Sequence, residues 1–380
     1  MIWFIVGCIA PAFLISFVVT RIVKRYAETW GLVDQPAARK VHVTPTPLGG
    51  GIAIYFGFLI PILAAQVFAA AAIQGLVPSD WVPELLRTHF EGIQYRAPQF
   101  WTLMAGGTVL ALMGLYDDQF GLSWKVRLVV QFLVAGMLVL TGTSATIFVS
   151  VPWFGMLVSV VWIVVLINSL NFLDNMDGLS AGIGLIASLM FASVMLNGTS
   201  EPRWLVGGAL LVLSGSLAGF LVFNWPPASI FMGDAGSTFL GMMLASLTLL
   251  GTFYDSGVSQ THVILAPLCI LAIPLYDFTS VMLIRLSQGR SPFQPDKSHF
   301  SHRLTGIGLS RTNAVLTVHF ATLTTGLGAL LLYHVDGWSG AMLVIALVLC
   351  TLVIVSILEM AAGRANNQEK SNPPAPSETN

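Results

Sequence analysis

Eleven long apolar stretches govern what this chain can become. They run close to 2–20, 48–72, 99–116, 126–141, 153–170, 181–197, 204–223, 237–253, 261–284, 313–333 and 339–360. About 20 apolar residues in a row cross the hydrocarbon core of a bilayer as one helix, which satisfies every backbone N–H and C=O within the segment. Runs of this length point to helices rather than to a barrel. Of the 380 residues, 55% are hydrophobic and only 9% are charged, against about 25% charged in a soluble domain. The expected fold is therefore an all-α, polytopic integral membrane protein of about eleven transmembrane helices.

The loops carry a strong charge bias. Fourteen of the 17 Lys and Arg residues lie in one set of loops, and only Arg87, Arg96 and Arg203 lie in the other. Basic loops face the cytoplasm, so the N-terminus is expected outside and the C-terminus inside. The first twenty residues lack a basic leader and read as a first membrane helix rather than a cleaved signal. Residues 1–363 are expected to form one transmembrane domain. Residues 364–380, polar and ending in PPAPSETN, read as a disordered cytoplasmic tail. A net charge of −1 excludes strong attraction to nucleic acid, and no repeat of solenoid length is present. Cys8, Cys269 and Cys350 fall in apolar runs without a CxxC pair, and read as small buried hydrophobes.

On the expected cytoplasmic side, 168-NSLNFLDNMDGLSAG-182 interrupts two apolar runs with Asn168, Asn171, Asp174 and Asp177, and no cation lies near them in sequence. If the stretch is helical, Asn171, Asp174 and Asp177 share a face at a spacing of three. Carboxylates and a carboxamide together suit a metal or a polar substrate; helix capping accounts for one such residue but not for four. Asp117 and Asp118 end another run, and adjacent carboxylates are relieved by a hard divalent cation. In 231-FMGDAGS-237, Gly233 and Gly236 flank Asp234 just before an apolar run. Backbone amides there attract phosphate, Asp234 can hold magnesium, and Phe231 either stacks on a base or anchors the loop. A plain turn with an Asp cap is the competing reading. In 296-DKSHFSHRL-304, His299 and His302 stand beside Lys297 and Arg303, a set that suits a diphosphate or a basic loop against anionic lipid heads. Lys125 and Arg127 carry the same two readings. All these clusters gather at helix ends on one face, whereas a transporter places its ionisable residues near the bilayer midplane.

The order Asp-Asp, Asn-x-x-Asp-x-x-Asp-Gly, Gly-Asp-x-Gly and a His-containing loop resembles the polyprenyl-phosphate N-acetylhexosamine-1-phosphate transferases, from about Asp34 to Arg303. That family makes lipid-linked precursors of peptidoglycan, teichoic acid, the O-antigen of lipopolysaccharide and related glycans. The resemblance implies ten or eleven helices around a cytoplasmic cleft in the inner (plasma) membrane. It implies transfer of a sugar 1-phosphate from a UDP-N-acetylhexosamine to undecaprenyl or another polyprenyl phosphate, with release of UMP. Mg2+ is the implied cofactor, with Mn2+ as a substitute, and a homodimer is the implied assembly. Asp117 and Asp118 match the family's essential acidic pair, with Asp117 the candidate base for the lipid phosphate. Asn171, Asp174 and Asp177 match its nucleotide- and metal-binding segment. Asp234 matches its magnesium aspartate, assisted by Asp118 and Asp174, and Phe231 the position near uracil. Arg39, Lys40 and His42, before Pro47-Leu48-Gly49-Gly50, match its first cytoplasmic loop. His299, His302 and Arg303 would clamp the diphosphate, and Lys125 or Arg127 the lipid phosphate.

The His loop lacks the adjacent histidines and Glu of the peptidoglycan branch. It looks more like the branch that uses UDP-N-acetylglucosamine, although its two-residue gap departs from that branch's commoner adjacent pair. N-acetylglucosamine 1-phosphate is accordingly the expected group, with another UDP-N-acetylhexosamine or UDP-MurNAc-pentapeptide as alternative donors. A secondary transporter, an Asp-rich membrane prenyltransferase and a non-catalytic lipid-binding scaffold are the rival classes. The prenyltransferase would also use magnesium and a membrane cleft but release diphosphate rather than UMP, and the scaffold has no need for so many acidic residues together.

Overall fold

The computed structural model describes residues 1–36, 45–78, 80, 89–145, 151–198, 201–251, 261–291 and 299–371. Among them a helix forms the body of each of the eleven apolar stretches. The long helices are α1 (Ile2–Tyr26), α2 (Gly50–Ile73), α3 (Phe90–Phe120), α4 (Trp124–Leu140), α5 (Pro152–Leu173), α6 (Leu179–Ser193, prolonged by a π turn to Gly198), α7 (Trp204–Asn224) and α8 (Gly233–Leu250). A 3-10 turn and the short α9 (Ala266–Ile270) lead into α10 (Ala272–Ser287). Then follow α11 (Phe300–Gly306), α12 (Arg311–Leu331) and α13 (Gly337–Ser371). The last helix continues past the expected boundary at residue 363. Two dipeptide strands, β1 (Val33–Asp34) and β2 (Thr46–Pro47), pair antiparallel, Val33 opposite Pro47.

Among the described residues seven helices are long and apolar enough to cross a membrane: α1, α2, α5, α6 with its π turn, α7, α12 and α13. The pair Thr261–Ile270 and Ala272–Ser287, bent by 64°, makes an eighth if taken as one span. The stretches behind α3, α4 and α8 are helical but shorter or more polar. At 17 residues α4 is only ~25 Å long. Trp3, Leu14, Val67, Leu133, Leu140, Trp153, Leu283, Phe320, Leu343 and Ile354 stand exposed on the outer surface, as expected where lipid is the solvent. Cys350 is exposed there too, contrary to its expected burial.

The centre of the molecule is α8. Every residue from Ala235 to Thr248 is buried, because α2, α3 and α5 pack around it. Small residues permit the approach. A Cβ on Gly114 of α3 or Gly51 of α2 would overlap backbone atoms of Ala235 and Gly236, and one on Gly241 would lie 2.6 Å from the Ile167 Cα of α5. Without hydrophobic drive between helices in lipid, such close backbone contact supplies dispersion energy in its place. The start of α8 is also stitched to the start of α2. The amides of Gly50 and Gly51 donate to the carbonyls of Phe231 and Met232, both at 2.9 Å, and the Phe231 amide donates to Pro47 O. The Pro47-to-Gly51 segment thus fixes where α8 begins, and Asp234 lies in its first turn.

Candidate active site

Four helices bring their ends to one point. Asp117 and Asp118 lie in the last turn of α3, Arg127 in the first turn of α4, Asn171 in the last turn of α5 and Asp234 in the first turn of α8. The cation missing from the local sequence is supplied across helices. Arg127 Nη1 donates to Asp117 Oδ2 at 2.9 Å and to Asp234 Oδ2 at 3.1 Å. The other oxygen of Asp234 accepts from Asn171 Nδ2 at 2.7 Å, and the same amide reaches Ser237 Oγ at 2.9 Å. Asp117 Oδ1 accepts from the Leu122 amide, so both of its oxygens are committed, one to the α3–α4 turn and one to Arg127.

Asp118 is held differently. Its Oδ1 accepts from the Asp234 amide at 2.9 Å, one of the amides that a helix start leaves unpaired. Its Oδ2 is buried, with no hydrogen-bond partner among the described residues. Gly233 makes the approach possible. Its φ is +73°, and a Cβ there would overlap Asp118 Oδ2. Asp174 caps α5, and the Gly233 amide faces its carboxylate. Withdrawal from water, followed by the charges of Asp234, Asp118 and Asp177, holds its carboxyl well above the usual range. The first turn of α8 therefore orients two carboxylates with its amides and contributes a third.

The expectation that Asn171, Asp174 and Asp177 share a helix face does not hold. The helix ends at Leu173, and residues 174–178 form turns. Asp177 is thereby carried to a neighbouring loop, where its Oδ2 accepts from the Ala228 amide at 2.9 Å. Next to it the Gly178 amide donates to Asn224 Oδ1, and Asn224 Nδ2 donates to Ile230 O. Asp177 thus shapes the loop that leads to Phe231, whose own backbone joins the β2–α2 segment. Lys125 is exposed, its Nζ 5.8 Å from the centre of the Trp124 ring. Of the pair Lys125 and Arg127, only Arg127 enters the acidic cluster. Arg39, Lys40, His42 and Lys297 lie outside the described residues.

A small cleft opens beside this centre, lined by the polar side chains of Asp117, Arg127, Asn171 and Asp234 and by apolar Met113, Trp124, Leu128 and Phe172. Gln131 and Asn168, also in its lining, are tied by a 2.6 Å hydrogen bond. Gln131 is a lone carboxamide within an apolar run, and nothing in the sequence alone marks it as a site residue.

Beyond Phe172 lies the His loop. His299 is buried, its Nδ1 2.9 Å from Asp277 Oδ2, and its ring meets Phe172 edge-on at 5.9 Å. His302 is half-buried. Arg303 Nη1 lies 3.3 Å from Glu359 Oε2, which also accepts from the Tyr276 hydroxyl at 2.7 Å. Asp277, Tyr276 and Glu359 escape a sequence reading because each is a single polar residue inside or at the end of an apolar helix.

The residues present fit a hard divalent cation. Asp117 and Asp234 share one guanidinium, Asp118 and Asp174 are held at the first-turn amides of α8, and one buried oxygen of Asp118 has no partner among the described residues. Among the described residues no three acidic or His side chains form a ready-made cage. Magnesium needs none, since it is usually held by one or two carboxylates together with waters and substrate phosphates.

The model of glycosyl transferase family 4 matches residues 100–252, which span all four corners of the acidic centre. A probable undecaprenyl-phosphate N-acetylglucosaminyl 1-phosphate transferase of Bacillus subtilis is 32% identical over 92% of this chain and 92% of its own. The chain belongs to glycosyl transferase family 4. A decaprenyl-phosphate N-acetylglucosaminephosphotransferase of Mycolicibacterium smegmatis is 31% identical over 94% of this chain and 89% of its own. An undecaprenyl-phosphate alpha-N-acetylglucosaminyl 1-phosphate transferase of Escherichia coli K12 is 28% identical over 82% of this chain and 79% of its own. This family member therefore shares with these relatives most of its length, the His loop included.

Proposed function

We propose that the protein transfers N-acetylglucosamine 1-phosphate from UDP-N-acetylglucosamine to undecaprenyl phosphate, forming a polyprenyl diphosphate sugar and releasing UMP. The observation that carries the reading is the junction of Asp118, Arg127, Asn171 and Asp234, from four helices, beside a cleft with apolar walls. A polar end for a diphosphate and a greasy side for a lipid are what this reaction needs in one place. The activities for which these relatives are named favour N-acetylglucosamine over other sugars.

In this reading a lipid phosphate oxygen attacks the phosphorus that bears the sugar. The bond from that phosphorus to the bridging oxygen breaks, and the electron pair leaves on UMP. The lipid phosphate is largely ionised at neutral pH, so holding the reactants in line matters more than base catalysis. Both oxygens of Asp117 are in use; its part is to keep Arg127 facing the cleft rather than to take a proton. Arg127 offers its guanidinium to a phosphate oxygen. Asn171, itself held by Ser237, orients Asp234, and His302 and Arg303 take the diphosphate with buried His299 behind them. Asp118, Asp234 and Asp174 would hold Mg2+, or Mn2+ in its place, which when bound neutralises the charge that develops on the leaving phosphate.

All eleven helical stretches cross the inner membrane in this reading, N-terminus outside, with the acidic centre at the cytoplasmic boundary where a nucleotide sugar is available. The bias of 14 basic residues against 3 in the loops supports that orientation. Burial of α8 among its neighbours explains why its stretch can be less apolar than the rest. The product starts a cell-envelope glycan, and the enzyme works as a homodimer, as the family resemblance implies.

The test mixes purified protein, Mg2+, undecaprenyl phosphate and a panel of UDP-sugars, and follows UMP. Release with UDP-N-acetylglucosamine that depends on both lipid and cation is the expected result. Turnover of UDP-MurNAc-pentapeptide alone would move the protein to the other branch, and diphosphate rather than UMP would sink the reaction class.

A further inference from the structure

Asp277 has no part in the acidic centre, yet it is fully buried in α10. A carboxylate removed from water is tolerated only when its lone pairs are taken. Here both oxygens reach the same short helix, α11. Oδ2 accepts from His299 Nδ1 at 2.9 Å, and Oδ1 accepts from the Phe300 amide at 2.8 Å. The side chain of His299, the residue that precedes α11, makes no capping bond of its own. Asp277 thus caps α11 from another helix and grips the imidazole with the same group.

The consequence for His299 is chemical. With Nδ1 donating to Asp277, the neutral ring carries its lone pair on Nε2. That nitrogen faces Arg285 Nη2 at 3.5 Å, and a guanidinium can only donate. The guanidinium in turn lies 5.0 Å above the Phe172 ring, whose edge His299 also touches. Phe172 forms a wall of the cleft that holds Asp117 and Asp234. Ser301, two residues on, donates to Asn175 Oδ1 at 2.7 Å, fastening α11 to the turn after Asn171.

We infer that Asp277 is the positioning residue for His299: it sets the tautomer and orientation of the imidazole and the start of the helix that carries His302 and Arg303. The inference rests on the reading of the His loop as the diphosphate clamp given under the proposed function, in which buried His299 holds Arg285 and the start of α11 while His302 and Arg303 make the contact. Both partners of Asp277 are N–H donors, so the site requires two acceptors. A carboxamide has one acceptor oxygen and one NH2 group. In Asp277→Asn, whichever way the amide turns, one N–H meets another, or the imidazole changes tautomer and meets Arg285 donor to donor.

The experiment uses the full chain in detergent with Mg2+ and compares wild type, Asp277→Asn, His299→Ala and the double variant. UMP release is measured against UDP-N-acetylglucosamine concentration. The imidazole of His299 is read by 15N chemical shifts, assigned by the signal missing in His299→Ala. The expected results are an Nδ1-protonated His299 in the wild type and a roughly ten- to hundred-fold lower kcat/KM in Asp277→Asn, by analogy with the loss on removing the carboxylate behind a metal-ligating histidine. The double variant should be no worse than His299→Ala alone, because a residue that acts through His299 has nothing left to act on. Independent, multiplying losses would overturn the inference, as would an Nε2-protonated ring in the wild type, which needs no variant to fold. A normal Asp277→Asn beside an impaired His299→Ala removes this inference and leaves the His-loop clamp standing. A normal His299→Ala removes this inference and leaves the clamp to His302 and Arg303, whereas no UMP release from UDP-N-acetylglucosamine by the wild type removes the proposed function itself.

Discussion

Gly233→Ala tests the acidic centre through its backbone. Gly233 adopts φ +73° at the start of α8, and its missing Cβ is the space into which Asp118 Oδ2 fits. An alanine there adds two costs. The left-handed backbone disfavours an L side chain by about 1–2 kcal/mol. The Cβ also forces the short Asp118 side chain to rotate, which loses its bond from the Asp234 amide; a hydrogen bond to a charged group contributes about 1.5–3 kcal/mol. The sum is about 2.5–5 kcal/mol. Expressed in the transition state, that is a loss of roughly two to three and a half orders of magnitude in turnover. Gly75→Ala separates the two costs. Gly75 has φ +72°, with no described residue within 4 Å of where a Cβ would stand, and it follows the far end of α2. It should show only the backbone cost, as a lower melting temperature with near-normal kcat. The assay is UMP release by purified variants matched for monodispersity, beside their thermal melts. Turnover of Gly233→Ala within threefold of wild type, with a melt no lower than that of Gly75→Ala, would refute the reasoning.

Asp118→Asn and Asp234→Asn should each lower turnover by orders of magnitude while the protein still inserts and purifies; near-normal rates would remove them as ligands. Arg127→Met should cost the fold about 1 kcal/mol or less, because the guanidinium is partly exposed, yet lower kcat at least tenfold by leaving Asp117 and Asp234 to repel one another, as UMP release and melting will tell apart. Glu359→Gln weakens the hold of α13 on Arg303 and should raise KM for the nucleotide sugar more than it lowers kcat. Gly114→Val should prevent stable folding, since even a Cβ at that position overlaps the backbone of Ala235; recovery of a monodisperse, active variant would contradict the α3–α8 packing.

Membrane residence, the helical bodies of eleven stretches and most members of the acidic centre follow from the sequence by itself. Each rests on a local property: apolar length, charge bias in loops, or carboxylates and amides spaced within a few residues. Tertiary structure decided how those pieces meet. Arg127 and Asp234 are 107 residues apart, and Asp118 and Asp234 are 116 apart; no local pattern encodes that one guanidinium will neutralise two carboxylates or that a helix start will orient a third. The end of α5 at Leu173, which sends Asp177 to the Ala228 loop, and the pairing of Asp277 with His299 were likewise settled by packing. A single polar residue in an apolar run looks the same in sequence whether it meets lipid, a neighbouring helix or a substrate, and only the position of the other helices distinguishes these, because the cost of burying a charge depends on what surrounds it in three dimensions.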